Sequence, residues 1–220
     1  LSGVPVLERS ELLGIVTSWY KNAFCVAGTH GKTTTTSMLT QIMFGSGLDI
    51  SAFIGGKLPV INGSGRAGNS EIMTCEACEF VDTFLKLYPD VAVILNIDAD
   101  HLDYFKTVDN IIKSFNKFCK NTTKAIIYNG DDENTCKAVS DIEGKEKITF
   151  GLSEKNDYYP LNIEKINGMT TEFDLYCKGE FLVRLTVSVP GEHNILNALA
   201  ASAAAHYGGV NPSDIAKNLK

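Results

Sequence analysis

The stretch VAGTHGKTTTT, residues 26–36, decides how the rest of the chain is read. It joins an apolar run, AFCVA (23–27), to an amphipathic one, TTSMLTQIMF (35–44), through Gly28-Thr29-His30-Gly31-Lys32-Thr33. A strand, a glycine loop and a helix in that order make the setting of a phosphate-binding loop. The glycines let the backbone curl so that N–H groups point inward, and the helix N-terminus adds partial positive charge. Lys32 would then reach the β- and γ-phosphates, and the Thr33 hydroxyl would face Mg²⁺. The common spacing G-x-x-x-x-G-K-[ST] would require a glycine where Val26 stands. The stretch is therefore a shortened phosphate cradle or a chance glycine turn.

Outward from the loop the pattern repeats. Met38, Leu39, Ile42 and Met43 recur at helical spacing, and Gly45 and Gly47 supply a stop. Apolar runs DISAFI (49–54), EIMTCEA (71–77), VAVILNI (91–97) and KAIIYN (124–129) alternate with helical patterns FVDTFLKLYP (80–89) and TVDNIIKSFNKFC (107–119). Strands alternating with helices predict an α/β fold, a P-loop-type, mostly parallel sheet flanked by helices. After Phe150 the texture turns to period two in DYYPLNIEKI (157–166), MTTEFDLYC (169–177) and FLVRLTVSV (181–189), which predicts a small appended antiparallel sheet. PGEHNILNALAASAAAHYGG (190–209) predicts a turn, an alanine-rich helix over 194–206 and a glycine stop, and NPSDIAKNLK (211–220) begins another helix. LSGVPVLERSELLG (1–14) reads as a strand and a helix start belonging to something upstream.

Composition narrows the partners. Net charge is −6, with no cluster of Lys or Arg, so neither nucleic acid nor an anionic membrane surface is implied. The longest apolar run, VAVIL (91–95), is far short of the roughly 20 residues of a spanning helix. With no signal pattern at the N-terminus, the expected setting is cytoplasmic. The six cysteines are scattered through apolar segments and read as free thiols. Cys75 and Cys78 form a C-x-x-C without the second pair that a zinc site needs.

Ligands of open parallel sheets gather at the carboxyl ends of strands. Glu76 ends one apolar run there; Glu79, three residues on, reads as a first-turn helix carboxylate favoured by the dipole. NIDADHLD (96–103) offers Asp98, Asp100, His101 and Asp103, and residue type alone does not choose among them. His193 and Asn197, four apart, face one side of the alanine-rich helix. They either hold an adenine or simply begin and cap the helix. His206, near that helix's end, reads as a dipole partner. NGDDEN (129–134) reads as a turn and cap, and GGKLPVINGSGRAGNS (55–70) as a long glycine-rich loop whose Lys57 and Arg66 either hold an anion or are solvated.

Taken together, GTHGKTTTT, EACE, NIDADHLDYF and PGEHNILNALAA, in this order and spacing, resemble the central ATP-binding domain of the Mur ligases, which build the peptide of the peptidoglycan precursor. In that family the loop is G-T-x-G-K-[ST], so Val26 is no defect. The resemblance implies Gly28, Thr29, His30, Gly31, Lys32, Thr33 and Thr34 around ATP, with Lys32 on the phosphates. It implies Thr33 and Glu76 on one Mg²⁺, His101 on a second metal position, and His193 and Asn197 against the adenine. His30 points to the branch acting on UDP-N-acetylmuramate and L-alanine. The implied reaction is ATP-dependent amide formation through an acyl phosphate. A murein tripeptide ligase of cell-wall recycling and a non-catalytic ATP-binding module are the alternatives.

By the same resemblance, residues 1–20 would be a remnant of an N-terminal UDP-binding domain, 21–209 the central domain, and 210–220 a tail toward a C-terminal domain. Without those neighbours little activity is expected, and the oligomeric state is left open. ACEFVD (77–82) departs from the family's ADESD, so no role carries over to Cys78 or Phe80. Lys113 and Lys117 do not match the carbamylated lysine of some members.

Overall fold

The computed structural model describes residues 3, 4 and 6–219. A first helix, α1 (Arg9–Thr17), precedes strand β1 (Asn22–Ala27) and helix α2 (Lys32–Gly45). Next come β2 (Ser51–Leu58), β3 (Gly63–Arg66), β4 (Ile72–Glu76), β5 (Val91–Ile94), the short α3 (Leu102–Phe105), α4 (Val108–Asn121), β6 (Ala125–Asn129) and α5 (Glu133–Val139). The chain continues through β7 (Glu146–Phe150), β8 (Tyr158–Lys165), β9 (Thr171–Cys177), β10 (Glu180–Val187), α6 (His193–Tyr207) and α7 (Pro212–Asn218).

All ten strands form one sheet, in the order β10-β9-β8-β7-β6-β5-β1-β4-β2-β3. From β7 to β2 neighbours run parallel. The period-two segments run antiparallel as predicted, yet they extend the main sheet through the parallel pair Phe150–Tyr158 and do not stand apart from it. Alternation along β1 explains the two layers. Phe24 and Val26 join the core beneath α2, α6 and α7, and Cys25 and Ala27 join the core on the side of α4. A strand apolar on both faces belongs in the middle of such a sheet. Six alanines of α6, at 198, 200, 201 and 203–205, are fully buried, so the helix backbone lies close to its neighbours.

Several local expectations change. The stretch 55–70 is no open loop: β2 and β3 make a hairpin at the sheet edge, and Arg66 is tied to Asp49 Oδ1 (2.6 Å) and Ile50 O (2.8 Å) over the Phe44 ring. With the hydrogen-bonding amides of Asn69, Arg66 pulls the Asp49 carboxyl down to about 2. The helix expected at 80–89 is a 3₁₀ segment, Phe80–Lys86, broken by left-handed Val81 (φ 52°) and Asp82 (φ 57°). Its anchor is Phe84, buried against Phe115 (5.1 Å) and Phe118 (4.7 Å) of α4. Residues 6–8 form no strand, and Leu1, Ser2, Pro5 and Lys220 lie outside the described residues. Ile215 and Leu219 are buried, so α7 packs into the core.

His206 sits in the last turn of α6, but burial lowers its pKa and Nδ1 meets the Tyr158 hydroxyl at 2.8 Å. Burial thus disfavours the charged form that a dipole partner would need. The cysteines are free, and burial pushes Cys119 up to about 12. Among the described residues no helix is long and apolar enough to cross a membrane.

Candidate active site

The sheet's connections diverge between β1 and β5, and the loops leaving these adjacent strands meet. Thr29 N–H donates to Asn96 O (3.0 Å), His30 N–H to Asn96 Oδ1 (2.8 Å), and Asn96 Nδ2 to His30 O (3.0 Å). Asp98 N–H closes the brace on Thr29 Oγ1 (2.9 Å). Asn96 thus fixes the glycine loop from the neighbouring strand.

The glycines are needed where they stand. Gly31 has φ +86°, and a Cβ there would lie 2.4 Å from Asn197 Oδ1; at Gly28 (φ +151°) it would lie 2.9 Å from Leu95 Cβ. Asn197 of α6 is buried; its Oδ1 accepts from Thr35 Oγ1 (3.1 Å) and its Nδ2 donates to Asn194 Oδ1 (2.9 Å). Its amide clamps the loop to α6 as well as reaching the cavity beyond.

That cavity, about 100 Å³, is lined by His30, Gly31, Leu95, Asn96, Phe150, His193, Leu196 and Asn197. Its walls are mostly apolar, with amides and imidazoles at the edge, as a flat heteroaromatic base requires. His193 and Asn197 both line it, together with Leu95, Phe150 and Leu196. A second hollow, bounded by Thr29, His30, Gly31, Lys32, Thr33 and Thr34, shares His30 and Gly31 with the first. The two hollows therefore adjoin at His30 and Gly31.

At the cradle's mouth Thr33 Oγ1 donates to Glu76 Oε1 (3.0 Å), and Gly55 N–H donates to Glu76 Oε2 (2.8 Å). A Cβ at Gly55 would stand 2.7 Å from Glu76 Oε1, so a side chain there would shift the carboxylate. In a magnesium octahedron with bonds of about 2.0–2.1 Å, adjacent ligand oxygens lie about 2.9 Å apart. Thr33 Oγ1 and Glu76 Oε1 already have that spacing. Among the described residues no three His, Cys, Asp or Glu side chains group as a metal cage. Mg²⁺ needs none, since it takes one or two carboxylates and fills its shell with phosphate and water.

Lys32 is drawn back into the loop. Its Nζ donates to Gly28 O (2.6 Å), Thr29 O (3.2 Å) and Glu79 Oε1 (3.1 Å). Glu79 is no exposed first-turn carboxylate; its side chain is 2% exposed and faces the loop. The left-handed residues after it explain this, because Asp82 N–H bonds back to Glu79 O (2.9 Å) and the Tyr104 hydroxyl (2.8 Å) holds Asp82. Backbone in that region costs on the order of 1–3 kcal/mol per residue and persists where packing enforces it.

Of the four candidates in the acidic loop, His101 turns toward the site. Its Nε2 lies 3.9 Å from Glu79 Oε1 and its ring packs on Phe80 (4.8 Å). Asp98 is exposed, 4.0 Å from His30 Nε2, while Asp100 accepts the His101 N–H (2.7 Å). In NGDDEN, Asp132 caps α5 through Thr135 N–H (2.7 Å), and Asp131 accepts from Ser153 N–H (3.0 Å). Lys57 lines an open groove beside Thr33 and Thr34. Asn96 was within reach of sequence reasoning, as a polar residue at a strand's carboxyl end; Glu79 was named there, but its burial against Lys32 was not legible.

Residues 26–205 match the Mur ligase middle domain. The chain is 40% identical over 220 residues to the UDP-N-acetylmuramate–L-alanine ligase of Caldanaerobacter subterraneus subsp. tengcongensis, covering 99% of this chain and 48% of that protein. The chain spans about half the length of the curated relatives it matches. Among solved structures, it superposes with a TM-score of 0.86 at 26% identity on the UDP-N-acetylmuramate:L-alanyl-gamma-D-glutamyl-meso-diaminopimelate ligase of Neisseria meningitides, over 99% of this chain and 71% of that one. The UDP-N-acetylmuramate–alanine ligase of Thermotoga maritima gives a TM-score of 0.81 at 26% identity, over 94% and 46%.

Proposed function

Because the chain belongs to the Mur ligase family, whose middle domain it carries over residues 26–205, we propose that it is the ATP-binding catalytic core of an ATP-dependent amide ligase. The ligase joins L-alanine to UDP-N-acetylmuramate in cytoplasmic peptidoglycan precursor synthesis. The observation that carries this reading is the Thr33–Glu76 pair, 3.0 Å apart at the mouth of a glycine loop that also holds Lys32. A bare binder of nucleotide would need the loop but not a carboxylate set beside its threonine.

In this reading the base enters the slot between His193, Phe150, Leu95 and Leu196, and the loop N–H groups with Lys32 take the phosphates. Thr33 and Glu76 hold Mg²⁺, with His101 at a second cation position; bound there, the metal supplies neutralisation of phosphate charge. The lactyl carboxylate oxygen bonds to the γ-phosphorus as the bond to ADP breaks, giving an acyl phosphate. The alanine amine then attacks the acyl carbon and phosphate leaves. The protein's task is to orient and to neutralise charge, so no protein nucleophile is required. Residues 21–209 serve as this central domain.

The test is ATP-dependent phosphate release by a protein of the relatives' full length that carries this chain. Release with UDP-N-acetylmuramate that depends on L-alanine is the expected result. The Neisseria superposition favours a second reading, a ligase of murein tripeptide. Release dependent on tripeptide but not on L-alanine would establish that alternative and overturn the first.

A further inference from the structure

Glu79 is an acidic side chain at the loop to which the proposed chemistry gives no task. Its carboxylate is nearly buried against a lysine that is itself 15% exposed. Oε1 takes a hydrogen bond from Lys32 Nζ at 3.1 Å, and Oε2 lies 2.9 Å from the same nitrogen with no other polar partner. An ammonium has three donors, and here they go to Gly28 O, Thr29 O and Glu79. Lys32 is therefore fully engaged, and a phosphate reaches it by taking the place of one of these acceptors, of which Glu79 is the one that competes for it by charge.

Displacement has a cost. A buried carboxylate stripped of its cation is strongly unfavourable, typically by several kcal/mol, unless another positive group replaces the first. The neighbour on its open side is His101, with Nε2 3.9 Å from Glu79 Oε1. That is the place the ATP-site reading gives to a second divalent cation. Carboxylate oxygen and imidazole both suit a cation there, and Oε2 has a lone-pair direction without a hydrogen-bond donor.

We propose that Glu79 is an internal counter-ion that stands in for phosphate on Lys32 in the empty loop and, once nucleotide takes Lys32, becomes an oxygen ligand of the divalent cation at the His101 position. This rests on the ATP-site reading above and deepens it. Glu79 acts through Lys32 and the cation, so it is a positioning residue. Its exchange makes nucleotide and cation binding interdependent: nucleotide without metal leaves the carboxylate stranded, and metal repairs that loss.

The experiment is calorimetric titration of the 220-residue chain with ADP, in EDTA and in Mg²⁺, for the parent, Glu79→Gln, Lys32→Ala and the double variant. Glu79→Met, neutral and of similar length, is measured as well, and thermal melts show which variants are folded. Freeing Lys32 should tighten metal-free ADP about tenfold, or roughly 1.4 kcal/mol, and the gain on adding Mg²⁺ should shrink. In the Lys32→Ala background the Glu79 change should leave metal-free affinity unaltered. Unchanged or weaker metal-free binding in the folded Glu79 variants would overturn the proposal. Equal tightening with and without Lys32 would overturn it too, since that is a general charge effect. A parent that binds no ADP, or a Lys32→Ala variant that binds it as well as the parent, would instead overturn the ATP-site reading itself.

Discussion

Gly31→Ala probes the joint between the loop and α6. Two costs arise at one atom. An alanine at φ +86° pays about 1–2 kcal/mol for the left-handed conformation. Its Cβ, 2.4 Å from Asn197 Oδ1, also displaces a buried amide and leaves the fully buried Thr35 hydroxyl without its acceptor. An orphaned buried donor costs about 1–3 kcal/mol, so the total is roughly 2–5 kcal/mol. Asn197→Ala alone orphans Thr35 Oγ1 and Asn194 Oδ1, at about 2–6 kcal/mol. In the double variant the clash is absent and Thr35 is already orphaned, so only the backbone strain adds to the Asn197→Ala cost. Urea unfolding of the parent, both single variants and the double variant should therefore show coupling of about 1–3 kcal/mol. Additivity within about 0.5 kcal/mol would show that the Cβ never meets the amide and would refute the reasoning.

Gly55→Ala should push the Glu76 carboxylate off Thr33; nucleotide affinity in Mg²⁺ should fall about tenfold while affinity in EDTA changes little, and equal losses in both would count against the Thr33–Glu76 metal position. Phe84→Ala empties a fully buried site between Phe115 and Phe118 and should cost about 3–5 kcal/mol in urea unfolding; a cost under about 1 kcal/mol would mean the 3₁₀ segment is not anchored there. For His206, whose folded pKa is lowered by burial, the unfolded chain takes up the proton first, so stability holds above about pH 6.5 and falls as pH drops below it. His206→Gln, which cannot gain that proton, should flatten the fall between pH 7 and 5 in thermal melts; an unchanged slope would place the pH dependence elsewhere.

Local pattern determined much of this protein. Period-two and helical spacings depend on a few neighbouring residues, so β1, α2, the antiparallel run β8 to β10 and the alanine-rich α6 were legible before any tertiary contact. The loop was legible too, because Gly28, Gly31 and Lys32 do their work within one turn of chain. Resemblance to a known family, not spacing, singled out His101 from its acidic neighbours. Only the tertiary structure decided what depends on distant partners. The brace by Asn96 spans 66 residues, the clamp by Asn197 on Thr35 spans 162, and the Lys32–Glu79 pair spans 47. Glu79 was misread because its direction is set by left-handed backbone at Val81 and Asp82, a conformation that a β-branched valine rarely adopts. That conformation is imposed by Phe84, Tyr104 and α4 packing around it. A side chain's type is written in the sequence, but where it points follows from what the folded chain packs against it.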